Sequence, residues 1–148
     1  MKKTSIIALL IIIFDRIIKI LVSKYMVIDE KISIIKDNLY IYNCHNTGAA
    51  FSLFDNSTFI LMLLSIIALF FIIYYISMNN FKNPLLFGIL LGGIIGNLID
   101  RIFLGYVIDY IGISVLNFYF PIFNLADAAI VISALVLVVR KWFNGIYS

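Results

Sequence analysis

A chain of 148 residues that is 64% hydrophobic, with a mean hydropathy of +1.10, has more apolar surface than one small globule can bury, so lipid is its expected solvent and one compact membrane domain its expected organisation. The net charge of +3 comes mainly from cations at segment ends, with no basic stripe, which excludes nucleic acid as a partner. One cysteine, Cys44, excludes a disulfide within the chain, and with one histidine, His45, leaves too few ligands for a His/Cys zinc site; no metal and no cofactor is expected.

Residues 1–14 imitate a secretory leader, with Lys2 and Lys3 ahead of an apolar run. No small-residue cleavage site follows, and Asp15-Arg16 interrupts the run, so an uncleaved first span over residues 4–25 is expected. Asp15 and Lys19 share a helix face and are expected to pair and orient that helix; a role for Lys19 as base toward a serine is the other reading. In the linker 26–57, residues 31–36 and 39–42 are β-prone and Asp37-Asn38 between them signals a turn. A hairpin or small sheet on the outer surface is predicted, over about residues 31–52. It runs into Asn46-Thr47-Gly48-Ala49-Ala50-Phe51-Ser52, where Gly48, Ala49 and Ala50 admit another backbone and Asn46 offers both donor and acceptor. An ordinary loop back to the next span accounts for the same residues.

The second span, 58–78, is apolar all round apart from Ser65 and late tyrosines, and reads as lipid-facing scaffold. After the linker 79–83, the third span, 84–104, carries Gly88, Gly92 and Gly96 as one stripe suited to close helix packing. Asn97, Asp100 and Arg101 follow on one side and are expected to face the bundle interior. The linker 105–117 holds Asp109, at the outer end of that span or just past it. The last span, 118–140, is expected to start as a helix at Pro121, with Phe118, Tyr119, Phe120 and Phe123 as an interfacial belt. Asp127 would then lie roughly 9 Å along the helix. Lys2, Lys3, Lys82, Arg140 and Lys141, with no acid among them, place both termini inside and the long linker outside.

After Asp55 the only acids are Asp100, Asp109 and Asp127, all toward the outer side of this topology. A carboxylate in a span is expensive and marks function by default. Two close carboxylates cannot both ionise cheaply, so they share a proton. The ionised member can activate water while the protonated member donates to a carbonyl oxygen, which is aspartic-protease chemistry and needs neither metal nor thiol. Spacing leaves both Asp100 and Asp109 open as the partner of Asp127. Arg101 beside Asp100 suits a permanently ionised structural group, so Asp109 is preferred. A small proton- or ion-coupled carrier would also bury these acids, but the chain shows no internal repeat.

Several segments, in order, resemble the bacterial lipoprotein signal peptidase (signal peptidase II) family over nearly the whole chain. They are Asp15 to Lys19, Asn46-Thr47-Gly48-Ala49-Ala50-Phe51, Gly92-Gly93-Ile94-Ile95-Gly96-Asn97-Leu98-Ile99-Asp100-Arg101, Gly105-Tyr106-Val107-Ile108-Asp109-Tyr110-Ile111 and Phe123-Asn124-Leu125-Ala126-Asp127. The resemblance implies a membrane all-α bundle of four transmembrane helices with a small extracytoplasmic β-element, the β-cradle. It implies an intramembrane aspartyl endopeptidase of the bacterial cytoplasmic membrane, which removes the signal peptide from diacylglyceryl-modified prolipoproteins just before the lipid-bearing cysteine. It puts the catalytic dyad on Asp109 and Asp127, and substrate contacts on Asn46, Asn97, Arg101 and Asn124, to which Gly48 is added for its close approach. Asp15, Lys19 and Asp100 fall at supporting positions. Lipidated precursors, membrane lipid and cyclic peptide inhibitors such as globomycin are the implied partners, and a monomer suffices. Two departures stand out. The first-span motif usually reads Asp-Gln-x-Thr-Lys, so Arg16 must find a partner or snorkel outward, and Tyr110 stands where Phe is common.

Overall fold

The apolar runs become four helices among the described residues: α1 (Lys2–Tyr25), α2 (Thr58–Met78), α3 (Pro84–Phe103) and α4 (Leu125–Ile146). Between them lie strands β1 (Lys31–Ile35), β2 (Leu39–Asn46), β3 (Val107–Val115) and β4 (Phe118–Tyr119). This is a computed structural model, and it describes residues 1–36, 38–48, 57–78, 83–116 and 118–146. The expected close approach at Ala49 and Ala50, the turn residue Asp37, and Lys82 in the second linker lie outside the described residues.

The strands form one antiparallel sheet in the order β1-β2-β3-β4. The expected β1–β2 hairpin is present, but the sheet also recruits a segment read as linker. Residues 107–115 carry Val, Ile or Tyr at six of nine positions, which suits a strand buried between neighbours. Asp109 therefore sits on a strand, opposite Cys44 in register, and not at the end of a helix.

The last helix also starts later than expected. Phe120 N–H donates to Ile113 O at 2.9 Å, Phe123 N–H to Ile111 O at 3.1 Å, and Ile111 N–H to Phe123 O at 2.7 Å. These bonds to β3 hold the chain extended through Pro121, and helix begins only at Leu125. Asp127 consequently lies in the first turn of α4 and not well along it.

Helix α3 is wedged between α1 and α4, as its small-residue stripe suggests. A Cβ on Gly92 would stand 2.7 Å from Ile11 Cβ and 2.8 Å from Ala8 O. One on Gly93 would stand 2.5 Å from Ala126 O and 2.9 Å from Ile130 Cγ1. Because the Gly93 neighbour is backbone beside Asp127, Gly93→Val is expected to cost about 1–3 kcal/mol by overpacking. Thermal unfolding of the purified protein would show the loss; an unchanged unfolding temperature would contradict the wedge.

Two apolar clusters hold the bundle: Ala8, Ile76, Phe87 and Leu91 at one end, and Val22, Met26, Ile108 and Tyr110 under the sheet. Helices α2 and α3 are each long and apolar enough to cross a membrane. In α2, Ile76 is the buried residue, while Phe59 and Phe70 are about two-thirds exposed, at 66% and 67%. Helices α1 and α4 have comparable lengths, 24 and 22 residues, but carry Asp15, Arg16 and Lys19 or Asp127 on their bundle sides.

Candidate active site

Between the two apolar clusters runs a polar core built first from α1 and α3. Lys19 Nζ lies 2.8 Å from Asp15 Oδ2 and 2.8 Å from Asp100 Oδ2, and donates to Asn97 Oδ1 at 2.9 Å. Lys19, Asp15 and Asp100 are all fully buried. Charges so deep persist only when paired. The expected Asp15–Lys19 pair is thus present, with Asp100 as a third member. Arg16, the departure in the first span, finds its partner in Asp100. The cations on Asp100 are therefore Arg16 and Lys19; Arg101, its sequence neighbour, instead lines a cavity.

Each of these carboxylates also holds the next element. Asp15 Oδ1 accepts Ala126 N–H at 3.2 Å, one of the donors that the start of a helix leaves without an internal partner. Asp100 Oδ2 accepts Ile108 N–H at 3.3 Å, on β3. One ion cluster thereby positions the start of α4 and the start of β3, which carry Asp127 and Asp109.

The two aspartates are joined by asparagines. Asn124 Nδ2 donates to Asp109 Oδ1 at 2.6 Å, and Asn124 N–H donates to Asp127 Oδ2 at 3.1 Å. Asp127 N–H donates back to Asn124 Oδ1 at 2.8 Å, so Asn124 and Asp127 form a reciprocal capping box at the start of α4. Asn46 Nδ2 donates to Asp109 Oδ2 at 2.8 Å, and Asn97 Nδ2 to Asp127 Oδ1 at 2.7 Å. The amide orientations follow from the opposite ends. Asn46 Oδ1 accepts Gly48 N–H at 2.8 Å, Asn97 Oδ1 accepts Lys19 Nζ, and Asn124 Oδ1 accepts Asp127 N–H. Each NH2 is left facing a carboxylate. All four carboxylate oxygens accept one N–H each, and each keeps a lone pair for another donor.

A cavity of about 860 Å³ opens on this pair. Asp109, Asp127, Asn46 and Arg101 form its polar end, and Ile113, Val115, Phe120 and residues of α4 its apolar walls. Burial, followed by the charge of Asp127, pushes the Asp109 carboxyl up to about 7, against the hydrogen bonds from Asn46 and Asn124 and the charge of Lys19. Burial also raises the Tyr110 phenol. Its Oη accepts Leu125 N–H at 3.1 Å, so the hydroxyl that replaces a common Phe serves another first-turn donor of α4.

Of the residues singled out from sequence, Asn46, Arg101, Asp109 and Asp127 meet at the cavity. Asn97 and Asn124 are buried behind the carboxylates, at 4% and 0% exposure, with their amides engaged there. Gly48 is buried and orients Asn46. Asp15, Lys19 and Asp100 make the ion cluster. The residues that sequence reasoning missed are Tyr110, Arg16 as partner of Asp100, and the apolar wall from β3. For Arg16 the only signal was a charge needing a partner.

The family model of Signal peptidase (SPase) II matches residues 7–143. The lipoprotein signal peptidase of Halothermothrix orenii is 35% identical over 139 residues, covering 93% of each chain. Two solved structures, each described as a bacterial membrane enzyme determined by the in meso method, share the fold. One has a TM-score of 0.90 at 26% identity, covering 98% of this chain and 90% of its own. The other has a TM-score of 0.84 at 27% identity, covering 95% and 93%.

Proposed function

This chain belongs to the signal peptidase II family, a membrane peptidase that removes signal peptides from prolipoproteins, and from that premise we propose that Asp109 and Asp127 are its catalytic dyad. The observation that carries the proposal is the convergence of both carboxylates, each held by asparagine amides, on one cavity with apolar walls. The buried polar core contains four carboxylates, Asp15, Asp100, Asp109 and Asp127, and three cations, Arg16, Lys19 and Arg101. One proton on the dyad brings the core to neutrality, as a low-dielectric site requires. Asp109, the more buried member, holds that proton, and Asp127 is the base.

In the proposed reaction Asp127 takes a proton from water, whose oxygen attacks the scissile carbonyl carbon. Asp109 donates its proton to the carbonyl oxygen, giving a gem-diol. Asp127 then passes its proton to the amide nitrogen, the C–N bond breaks, and the carbonyl re-forms as the diol proton returns to Asp109. Arg101 presents a guanidinium to the substrate backbone beside the dyad. Asn97, Asn124 and, through Gly48, Asn46 hold the carboxylates in register. Asp15, Lys19 and Asp100 are positioning residues one layer further in.

The finer membrane reading is also a proposal. All four helices span the bacterial cytoplasmic membrane, with the sheet as an outer cradle and both termini cytoplasmic. Arg140 at the end of α4 donates to Asn83 at the start of α3, which supports their sharing one side. The apolar walls of the cavity then receive the diacylglyceryl group, just where cleavage precedes the lipidated cysteine. Cyclic peptide inhibitors such as globomycin would occupy the same space. Each group in the proposed reaction comes from one chain, so a monomer suffices. The purified protein should cleave a diacylglyceryl-modified precursor and leave its unlipidated twin intact; equal cleavage of both would refute the lipid requirement.

The pH dependence follows from Asp109. Activity should fall as pH rises through about 7, where Asp109 loses the proton the reaction needs. Its carboxyl is raised relative to the unfolded chain, so its contribution to stability is fully present below the ordinary aspartate value of 3.8 and is lost as pH rises through about 7. Rates and unfolding temperatures measured from about pH 5 to about pH 9 check both limbs, and Asp109→Asn should flatten the stability loss. Activity that keeps rising above pH 8, by roughly one unit past that value, would contradict the assignment.

A further inference from the structure

A second cleft lies away from the dyad, against α1, the end of α3 and the start of β3. Its volume is about 330 Å³, and Arg16, Ser23, Lys24, Ile20, Leu104 and Ile108 line it together with Tyr106. Its chemistry is unlike that of the catalytic cavity: among the described lining residues there are two cations, the hydroxyls of Ser23 and Tyr106, and no acid. Arg16, Ile20 and Lys24 follow at i, i+4 and i+8 on one face of α1, spanning roughly 12 Å along the axis. The charges are not equivalent. Arg16 is paired with Asp100, yet its side chain remains 31% exposed, while Asp100 is fully buried. A guanidinium has five N–H donors, more than one carboxylate can occupy. Lys24 has no carboxylate within ion-pair distance among the described residues; its ammonium lies 5.3 Å from the Tyr25 ring. The pairs of Arg16 and Lys19 with Asp100 and Asp15 cancel, so the cleft keeps one unbalanced positive charge, at Lys24. Its floor is apolar, and the adjoining α1 surface, Ile17, Ile20 and Leu21, is about half exposed, at 48%, 52% and 49%.

A ligand matching this cleft has one negative charge, several acceptor oxygens and an apolar body. We propose that it holds the phosphodiester headgroup of one anionic phospholipid of the leaflet on the sheet side, with Lys24, Ser23 and the free edge of Arg16 around the phosphate and an acyl chain along Ile20 and Ile17. The proposal rests on the membrane reading above. It makes Arg16 the contact between that lipid and the ion cluster, because Arg16 is partly exposed while Asp15, Lys19 and Asp100 are fully buried.

The test is native mass spectrometry of the full chain, released from detergent micelles doped with phosphatidylglycerol or with phosphatidylcholine. One phosphatidylglycerol should be retained well above phosphatidylcholine. Lys24→Glu should lower its retention about tenfold, Lys24→Arg should keep it, and Lys36→Glu, a charge reversal elsewhere, should leave it unchanged. Equal retention by Lys24→Glu and the parent protein, or equal retention of the two lipids, would overturn the site. Excess inorganic phosphate should not displace the lipid; displacement would mark a free-anion site and overturn the lipid assignment. Cleavage of a lipidated precursor in lipid-free detergent should be the same for Lys24→Glu and the parent. Equal retention of the two lipids by a parent protein that still cleaves would therefore sink this proposal alone, and absence of cleavage in a parent that retains phosphatidylglycerol would sink the peptidase reading alone.

Discussion

Asp127→Asn is expected to lower cleavage of a lipidated precursor by roughly 10²–10⁴-fold while leaving a folded membrane protein, because a single positioned acid or base contributes about that much. The variant retains the shape of the side chain but loses the carboxylate proposed as base. Its oxygens now accept from Asn97 Nδ2 and Asn124 N–H, at 2.7 and 3.1 Å. An amide can satisfy one of these donors and must face the other with its own NH2. That mismatch costs about 1–3 kcal/mol, which is visible in thermal unfolding but is a fraction of a domain's stability. Asp109→Asn faces the same problem, since Asn124 and Asn46 both donate to it. The two variants should therefore pair a large kinetic loss with a modest thermal one, and precursor binding should survive. Near-normal turnover in either would remove that residue from the dyad.

Lys19→Met is expected to do the reverse, unfolding the protein or lowering its unfolding temperature severely. It leaves Asp15 and Asp100 buried, with only Arg16 to compensate. Breaking a buried ion pair from one side costs about 3–5 kcal/mol, against a total of about 5–15 kcal/mol for a typical domain. The double variant Lys19→Met/Asp15→Asn restores the charge balance and should recover part of the loss. Non-additivity of this kind is what coupled neighbours show in a mutant cycle. Unfolding in detergent, followed by intrinsic fluorescence, provides the measurement. An unchanged unfolding temperature for Lys19→Met would mean that the cluster is not stabilising, and so would a double variant no better than the single.

The helices were legible because their apolar runs are long and local, and the i,i+4 spacing of Asp15 and Lys19 announced their pairing. The first hairpin was legible for the same reason. Strand β3 was not: an apolar run that follows a membrane-length helix carries no sign of its edge, and its partner β2 lies some sixty residues away, as in Asn46–Asp109, where |i−j| is 63. The start of α4 was misplaced because Pro121 is a good first-turn residue, and only the long-range bonds from β3 show that the chain there is committed to a sheet. The acids could be found by counting, since few remain after Asp55. Their sorting was harder. The separation of Asp100 from the dyad was reasoned from Arg101, whereas its actual cations come from α1, and the reaching of Arg16 across 84 positions has no local signature. The asparagines were visible as polar groups in apolar surroundings, but an amide reads alike whether it serves a substrate or a neighbouring carboxylate.

Lys19 is a common reference for both halves of the proposed catalytic pair. The two carboxylates it holds are the ones that tether Ala126 and Ile108, one step from Asp127 and Asp109 respectively. A displacement of α1 is therefore transmitted to both tethers in the same direction. Such common-mode motion shifts the dyad as a unit and leaves its internal spacing intact, whereas independent anchors would let thermal drift add up in the gap. A bundle flexing in lipid can in this way keep its reacting oxygens aligned without being rigid as a whole.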